Sequence, residues 1–460
     1  MDAPLLNETI DGLRAHFGER LSTAAAIRDH HGRDMSRQPV RLPDAVVYVE
    51  NEAEVQRVVA ACFAAGIPVT PFAAGSSMEG HTIPVNGGIS LDLSRMNRIV
   101  AVNDADFDAV VEAGVTRKQL NEHLRHTGLF FPVDPGADAT LGGMASTRAS
   151  GTTAVRYGTM RENVVALRIV TPTGKVISTG RRVKKSATGY DLTKLFVGAE
   201  GTLGVITEVT VRLQPIPEVT ASAICTFETI RGAVEAVVAT VQSGIPVARI
   251  EFLDEVAVDA ANLHSKLGLK RAPTLFLEFH GSARWVAEQS ETVRAIADEF
   301  GGSDFEWSTV PEERERLWKA RHETIYSNQA LRPGCKTYTT DVCVPISCLA
   351  EAVMAARADV DQSFLTAKII GHVGDGNFHV GYLIKPEIAE ELAEAERLAE
   401  RLYMRAIAMG GTFSGEHGIG ISKLPYLRRE HGDAVDIMNA IKGALDPAGI
   451  MNPGKLGQVE

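Results

Sequence analysis

Two short stretches carry side chains whose type and spacing could do chemistry: Gly371 to His379 (GHVGDGNFH) and Ser414 to Gly420 (SGEHGIG). His372 and His379 flank a Gly-Asp-Gly-Asn turn between strand-like segments, so a hairpin can bring both imidazoles to one end of a sheet. Glu416 and His417 lie in a second tight glycine loop. Two histidines and one carboxylate with an open position make an ordinary site for a divalent metal that must also hold substrate. By spacing alone the same residues read better as hydrogen-bonded histidines at a hairpin than as metal ligands. Asp375 reads as a turn cap rather than a ligand.

A second chemistry is written in backbone. Val133 to Gly158 (VDPGADATLGGMASTRASGTTAVRYG) is mostly Gly, Ala, Ser and Thr, with neither a helical nor an alternating apolar period. Such a run fits main chain laid against a large ligand. Glycine removes the Cβ that would hold the backbone away, and consecutive amides can form a nest for a pyrophosphate. Pro71 to His81 (PFAAGSSMEGH) repeats this chemistry between two strand-like runs. Neither the Rossmann glycine fingerprint nor a P-loop occurs, which disfavours a nicotinamide dinucleotide or a nucleoside triphosphate. One such loop could be an ordinary glycine turn; two in one domain point to a dinucleotide.

Together with Phe196 to Thr207 (FVGAEGTLGVIT), these loops resemble the FAD-binding domain of the vanillyl-alcohol oxidase (PCMH) type. From roughly Asp29 to Leu456 the chain is similar to the family of cytochrome-linked D-lactate dehydrogenases, D-2-hydroxyglutarate dehydrogenases and glycolate oxidase flavin subunits. The resemblance implies an α+β fold: a two-subdomain FAD-binding domain, with a ferredoxin-like α+β substrate domain capping the flavin. It implies non-covalent FAD held by Pro71, Ala74, Gly75, Ser76, Ser77, Gly80 and His81 of the first loop. Pro135, Gly136, Ala137, Thr140, Gly142, Gly143, Ser146, Ser150, Gly151, Ala154, Tyr157 and Gly158 would serve from the second. Glu200, Gly201, Gly204 and Ile206 would add to these, with Asn452 near the isoalloxazine. His81 follows a Gly-Ser-Ser turn and does not stand where a covalent histidine link is expected.

The same resemblance puts a zinc or manganese ion on His372, His379 and Glu416, and sets Arg321 (LWKARHET) against a substrate carboxylate. A 2-hydroxy acid would chelate the ion through its hydroxyl and one carboxylate oxygen, which acidifies the hydroxyl and aims the Cα hydrogen at flavin N5. His417, beside the ligand Glu416, is the candidate base for the hydroxyl proton. The alternative for His417 is a hydrogen bond that only holds its loop. For Arg321 it is a solvated helix position with Arg314 and Arg316 among Glu312, Glu313 and Glu315. D-2-hydroxyglutarate dehydrogenases resemble this chain at Lys336 to Pro345 (KTYTTDVCVP) but carry lysine where it has Thr339. Without that cation a second carboxylate is left unpaired, which favours D-lactate, provided Arg332 or Lys336 does not fold back. Electrons would pass to a cytochrome such as cytochrome c, a quinone or an electron-transfer flavoprotein. A D-2-hydroxyglutarate or glycolate enzyme is the alternative, and a flavin-free metal hydrolase a more distant one that no H-E-x-x-H helix supports.

These residues need scaffolding, and 460 residues exceed one core. The expected division is a helical lead-in at 1–40, the FAD-binding domain at 41–218, the substrate domain with the metal site at 219–430, and a segment at 431–460 that returns to the FAD domain. Helices are expected from Ala53 to Ala65, closed by Gly66, and from Thr116 to Gly128. Val164 to Thr171 with Lys175 to Ser178 reads as a hairpin, and Val205 to Leu213 alternates as a strand. Two β-α-β units follow, at 221–252 and 274–308, then helices at 388–409 and 434–445. A net charge of -11 speaks against nucleic acid as main partner and suits a basic redox partner. Five cysteines without C-x-x-C spacing read as reduced thiols. No apolar run reaches membrane-spanning length and the N-terminus is acidic, so a cytoplasmic protein is expected, at most peripheral to a membrane, with a homodimer admissible. Trp285, Trp307 and Trp318 read as packing residues.

Overall fold

The computed structural model describes residues 3–266, 268–323 and 327–457, which form two compact units. The first gathers 1–150, 158–216 and 416–460; the second gathers 151–157 and 217–415.

In the first unit, strand Ala45–Tyr48 lies parallel to Ile89–Asp92, which lies parallel to Val69–Phe72. Parallel strands need a crossover, and helix Glu52–Ala65 supplies one. The Asn51 side chain accepts from the Glu54 amide at its start, and Gly66 at φ 63 ends it. Val55, Val58, Val59 and Cys62 form its buried stripe. A second, antiparallel sheet runs in the order Ile99–Asn103, Asp108–Glu112, Val205–Arg212, Val164–Val170, Val176–Ser178. Residues 450–452 pair with the edge strand of the first sheet. The Val69 amide donates to Ile450 O, the Asn452 amide donates to Val69 O, and Met451 is fully buried.

The glycine-rich stretch is not bare loop. Leu141–Thr147 is a helix, opened by the Thr140 hydroxyl accepting from the Gly143 amide. Its period was invisible because the buried residues include Gly142 and Ala145. A Cβ on Gly142 would stand 2.5 Å from the Ala113 Cβ, so glycine here lets the helix press onto the neighbouring sheet segment.

The second unit holds one antiparallel sheet. Its first half runs Gly302–Ser308, Val219–Phe227, Thr274–Gly281, Arg249–Leu253, with helices Ile230–Gln242 and Ala283–Glu299 in the two β-α-β crossovers. This is the expected ferredoxin-like order. The sheet then continues through Ala367–Gly371, Asn377–Ile384 and Lys336–Thr339. Pairing across it puts Glu251 with Phe276, Leu253 with Ile370, Ile370 with His379, and Gly381 with both Lys368 and Thr339. Paired residues share a face, so these side chains stand on one side of the sheet. Helix Pro311–Glu323 lies against that side, where Trp318 Nε1 donates to Ser222 Oγ at 2.9 Å. Trp318 is buried, whereas Trp285 and Trp307 are 45% and 44% exposed, so packing accounts for only part of those two rings.

Candidate active site

The hairpin of the second unit joins its two histidines as the sequence suggested. Gly376 turns the chain at φ 84, where a Cβ would strike Val344 O at 2.1 Å. The imidazoles of His372 and His379 end 5.6 Å apart, centroid to centroid, nearly perpendicular. His379 Nδ1 lies 3.0 Å from the Thr340 carbonyl oxygen, which can only accept, so Nδ1 carries the proton and the lone pair is on Nε2. His372 Nδ1 lies 2.7 Å from Glu251 Oε1 and is set the same way. A carbonyl or carboxylate behind one ring nitrogen is the usual support for a histidine that ligates metal through the other. Asp375, exposed in the turn, stands apart from this arrangement.

Glu251 also binds Arg321, whose Nε and Nη2 reach Glu251 Oε2 at 2.8 and 2.7 Å. The arginine is therefore buried and fixed, not a solvated helix residue. Asn377 Nδ2 donates to Asp341 Oδ1 at 2.9 Å, and the Gly415 amide donates to Asp341 O at 3.1 Å. This pins the chain up to the residue before Glu416. Glu416 and His417 themselves count with the first unit. There His417 Nδ1 is 3.7 Å from Glu79 Oε1, and Lys423 Nζ is 3.1 Å from the same oxygen. Burial pushes the Glu79 carboxyl up, but Lys423 and His417 outweigh it and hold it below its ordinary value.

The first unit also gathers several of the expected flavin residues. The Glu200 amide donates to Ser146 O, and Asn452 Nδ2 donates to both His81 O and Glu200 O. Gly201 lies against Pro71, whose Cγ a Cβ would meet at 3.2 Å. His81 and Glu200 are buried, with His81 Nε2 3.2 Å from Glu200 Oε1, a close pair though not an aligned hydrogen bond. Among the described residues, His81 Nδ1 and Asn452 Oδ1, both buried, meet no hydrogen-bond partner. Such atoms are rare unless a bound group satisfies them, so this cluster fits a polar cofactor such as a flavin ring.

The remaining expected positions are spread more widely. Ala74, Gly136 and Gly143 are exposed, while Gly75, Ser76, Ser77, Pro135 and Ala137 are half-buried in their loops. The amides of Leu141, Gly142 and Gly143 are taken by Val115 O, Ala113 O and Thr140 Oγ1, so the nest does not form at this helix start. Gly204 and Ile206 pack toward the antiparallel sheet, and Gly158, at φ 76, precedes the capping box of Thr159 and Glu162. Ser150 is buried in the first unit. Gly151, Ala154 and Tyr157 count with the second, where the Tyr157 hydroxyl meets His280 Nδ1 at 2.7 Å.

Glu251, Asp341, Asn377, Glu79 and Lys423 join the expected residues only in the folded chain. The signal for Glu251 was present: an acid between Ile250 and Phe252 in an apolar strand.

Known proteins share this architecture. The chain matches the FAD binding domain over residues 43–180 and the C-terminal domain of FAD linked oxidases over 216–456. A p-cresol methylhydroxylase with substrate bound superposes with a TM-score of 0.82, covering 100% of this chain and 98% of that one at 19% identity. The fold is accordingly that of the vanillyl-alcohol oxidase (PCMH) type flavoproteins. A probable mitochondrial D-lactate dehydrogenase of Danio rerio is 49% identical over 442 residues, spanning 95% of this chain and 89% of its own. The mitochondrial D-lactate dehydrogenase (cytochrome) of Arabidopsis thaliana is 44% identical over 452 residues, spanning 98% and 80%. The chain belongs to the FAD-linked oxidases, in the family of the D-lactate dehydrogenases (cytochrome) and the glycolate oxidase flavin subunits. It is an oxidoreductase with FAD as cofactor, which removes the flavin-free hydrolase.

Proposed function

We propose that this chain oxidises a D-2-hydroxy acid, foremost D-lactate to pyruvate, and passes the electrons to a cytochrome-type acceptor. We also propose that His372, His379 and Glu416 hold a divalent ion, zinc or manganese. The observation that carries the reading is the histidine pair, each Nδ1 anchored on an oxygen so that Nε2 has the lone pair. The names of the two relatives support D-lactate, and that of the Arabidopsis thaliana protein supports the cytochrome. When bound, FAD supplies a hydride acceptor and the ion a Lewis acid that acidifies the substrate hydroxyl.

The chain's own residues do the rest. Glu251 orients both His372 and Arg321, and the guanidinium donors not used on Glu251 bind the substrate carboxylate. His417 takes the hydroxyl proton, its ring steadied by Glu79, which Lys423 keeps charged. Pocket length rests on Thr339. Arg332 does not fold back, since its two Nη atoms bind Glu391 at 2.8 and 2.7 Å. Lys368 stands in the same row as Thr339, but burial pushes its pKa down to about 7, which makes it a poor permanent partner for a second carboxylate. Thr339→Lys is therefore expected to raise kcat/KM for D-2-hydroxyglutarate about tenfold or more relative to D-lactate; an unchanged ratio would remove Thr339 from the pocket. The cytoplasmic setting is part of the same proposal, although both relatives are named as mitochondrial. Among the described residues no helix is long and apolar enough to cross a membrane.

Dialysis against a chelator tests the ion. D-Lactate oxidation should vanish while the flavin absorbance stays, and Zn²⁺ or Mn²⁺ should restore it; full activity in metal-free protein would refute the metal site.

A further inference from the structure

The His81 and Glu200 pair does more than fill space. Both side chains are buried, and Gly418 closes over their contact: at φ 80, a Cβ there would lie 2.6 Å from His81 Nε2 and 2.8 Å from Glu200 Oε1. The Glu200 carboxylate is itself fixed by the Ile419 and Gly420 amides at 2.7 and 3.0 Å. Glu200 and Asn452 hold left-handed backbone at φ 53 and φ 41, conformations that cost free energy in residues with a Cβ and cluster at functional sites. One ring nitrogen of His81 thus faces an anion under a glycine lid, and the other, buried, meets no hydrogen-bond partner among the described residues. A buried ring nitrogen left without a hydrogen bond is costly, so a group from outside the chain belongs there.

We propose that His81 is a flavin-contacting cation: its imidazolium, balanced by Glu200, donates Nδ1–H to the N1–C2=O edge of the FAD ring and favours the reduced flavin. Burial alone would push the His81 pKa down, but Glu200, with Asp34 and Glu79, reverses this and raises it, which keeps Nδ1 a donor. Negative charge grows at that flavin edge on reduction, so a fixed cation there shifts the midpoint potential upward. The inference rests on FAD binding alone and is independent of the substrate and the metal.

The test is the midpoint potential of the bound FAD, measured against a reference dye during chemical reduction, in the parent and in His81→Gln, His81→Lys and Glu200→Gln. His81→Gln should lose about tenfold in its preference for reduced over oxidised FAD, a fall of about 30 mV for a two-electron couple. His81→Lys should keep most of the parent potential, and Glu200→Gln should fall toward His81→Gln. If His81→Gln does not retain FAD, a fall of that size in Glu200→Gln relative to His81→Lys supports the proposal. Equal potentials across the variants that hold FAD would overturn it. A parent protein whose FAD D-lactate fails to reduce would refute the proposed substrate while leaving this result standing.

Discussion

Glu251 is the residue on which most converges: fully buried, it receives His372 on one oxygen and Arg321 on the other. Removing it strands a guanidinium that is only 6% exposed. Glu251→Ala should lower unfolding free energy by about 3–5 kcal/mol in urea titrations and cut metal affinity by at least tenfold. Wild-type stability would show that Arg321 finds water or another acid. Lys368 gives a prediction with a sign. Its folded pKa, pushed by burial to about 7, lies below the ordinary lysine value, so between pH 7 and 10 the unfolded chain binds more protons and stability rises with pH. The contribution is about 1 kcal/mol per pH unit, and Lys368→Met should flatten that rise in denaturation measured at pH 7 and 9. An unchanged slope would mean the ammonium is better paired than its burial implies.

At the scale of elements, Gly376 decides whether the two histidines meet. Both its positive φ and the Val344 carbonyl forbid a side chain. Gly376→Ala should destabilise by about 2 kcal/mol or more and weaken metal binding, read by calorimetry; near-wild-type binding would mean the turn can re-form without glycine. This element was legible, because a glycine turn between strand-like runs is a local signal. So were helix Glu52–Ala65 and the two β-α-β units, whose apolar spacing spans many residues. Helix Leu141–Thr147 was not, since small buried residues give no contrast between faces. The continuation of the sheet through Lys336–Thr339 was not either, because which strands pair is a long-range property. The site was legible where one loop held it, at His372 and His379. It was illegible where support comes from distant strands: Glu251 lies 121 positions from His372.

For the whole molecule, the consequence lies in how the chain is threaded. The first unit is completed by 416–460, and Ile450 and Met451 are buried in the sheet that carries Val69. Lys442 ties this tail down, its buried Nζ donating to Thr202 O at 2.7 Å and Met451 O at 2.8 Å. A chain ending at residue 445 should lose FAD on gel filtration, since it lacks Asn452 and the strand-like tail; retention of stoichiometric flavin would contradict the role of that segment. The proposed reaction draws on both units: most of the expected flavin residues belong to the first, while Gly151, Ala154, Tyr157 and the histidine pair belong to the second. The most direct measurement mixes metal-replete protein anaerobically with D-lactate, L-lactate or D-2-hydroxyglutarate and follows the flavin absorbance. Rapid bleaching by D-lactate is expected, with little by the dicarboxylate and none by L-lactate. Bleaching by L-lactate as fast as by D-lactate, or by none of the three, would contradict the proposed reaction.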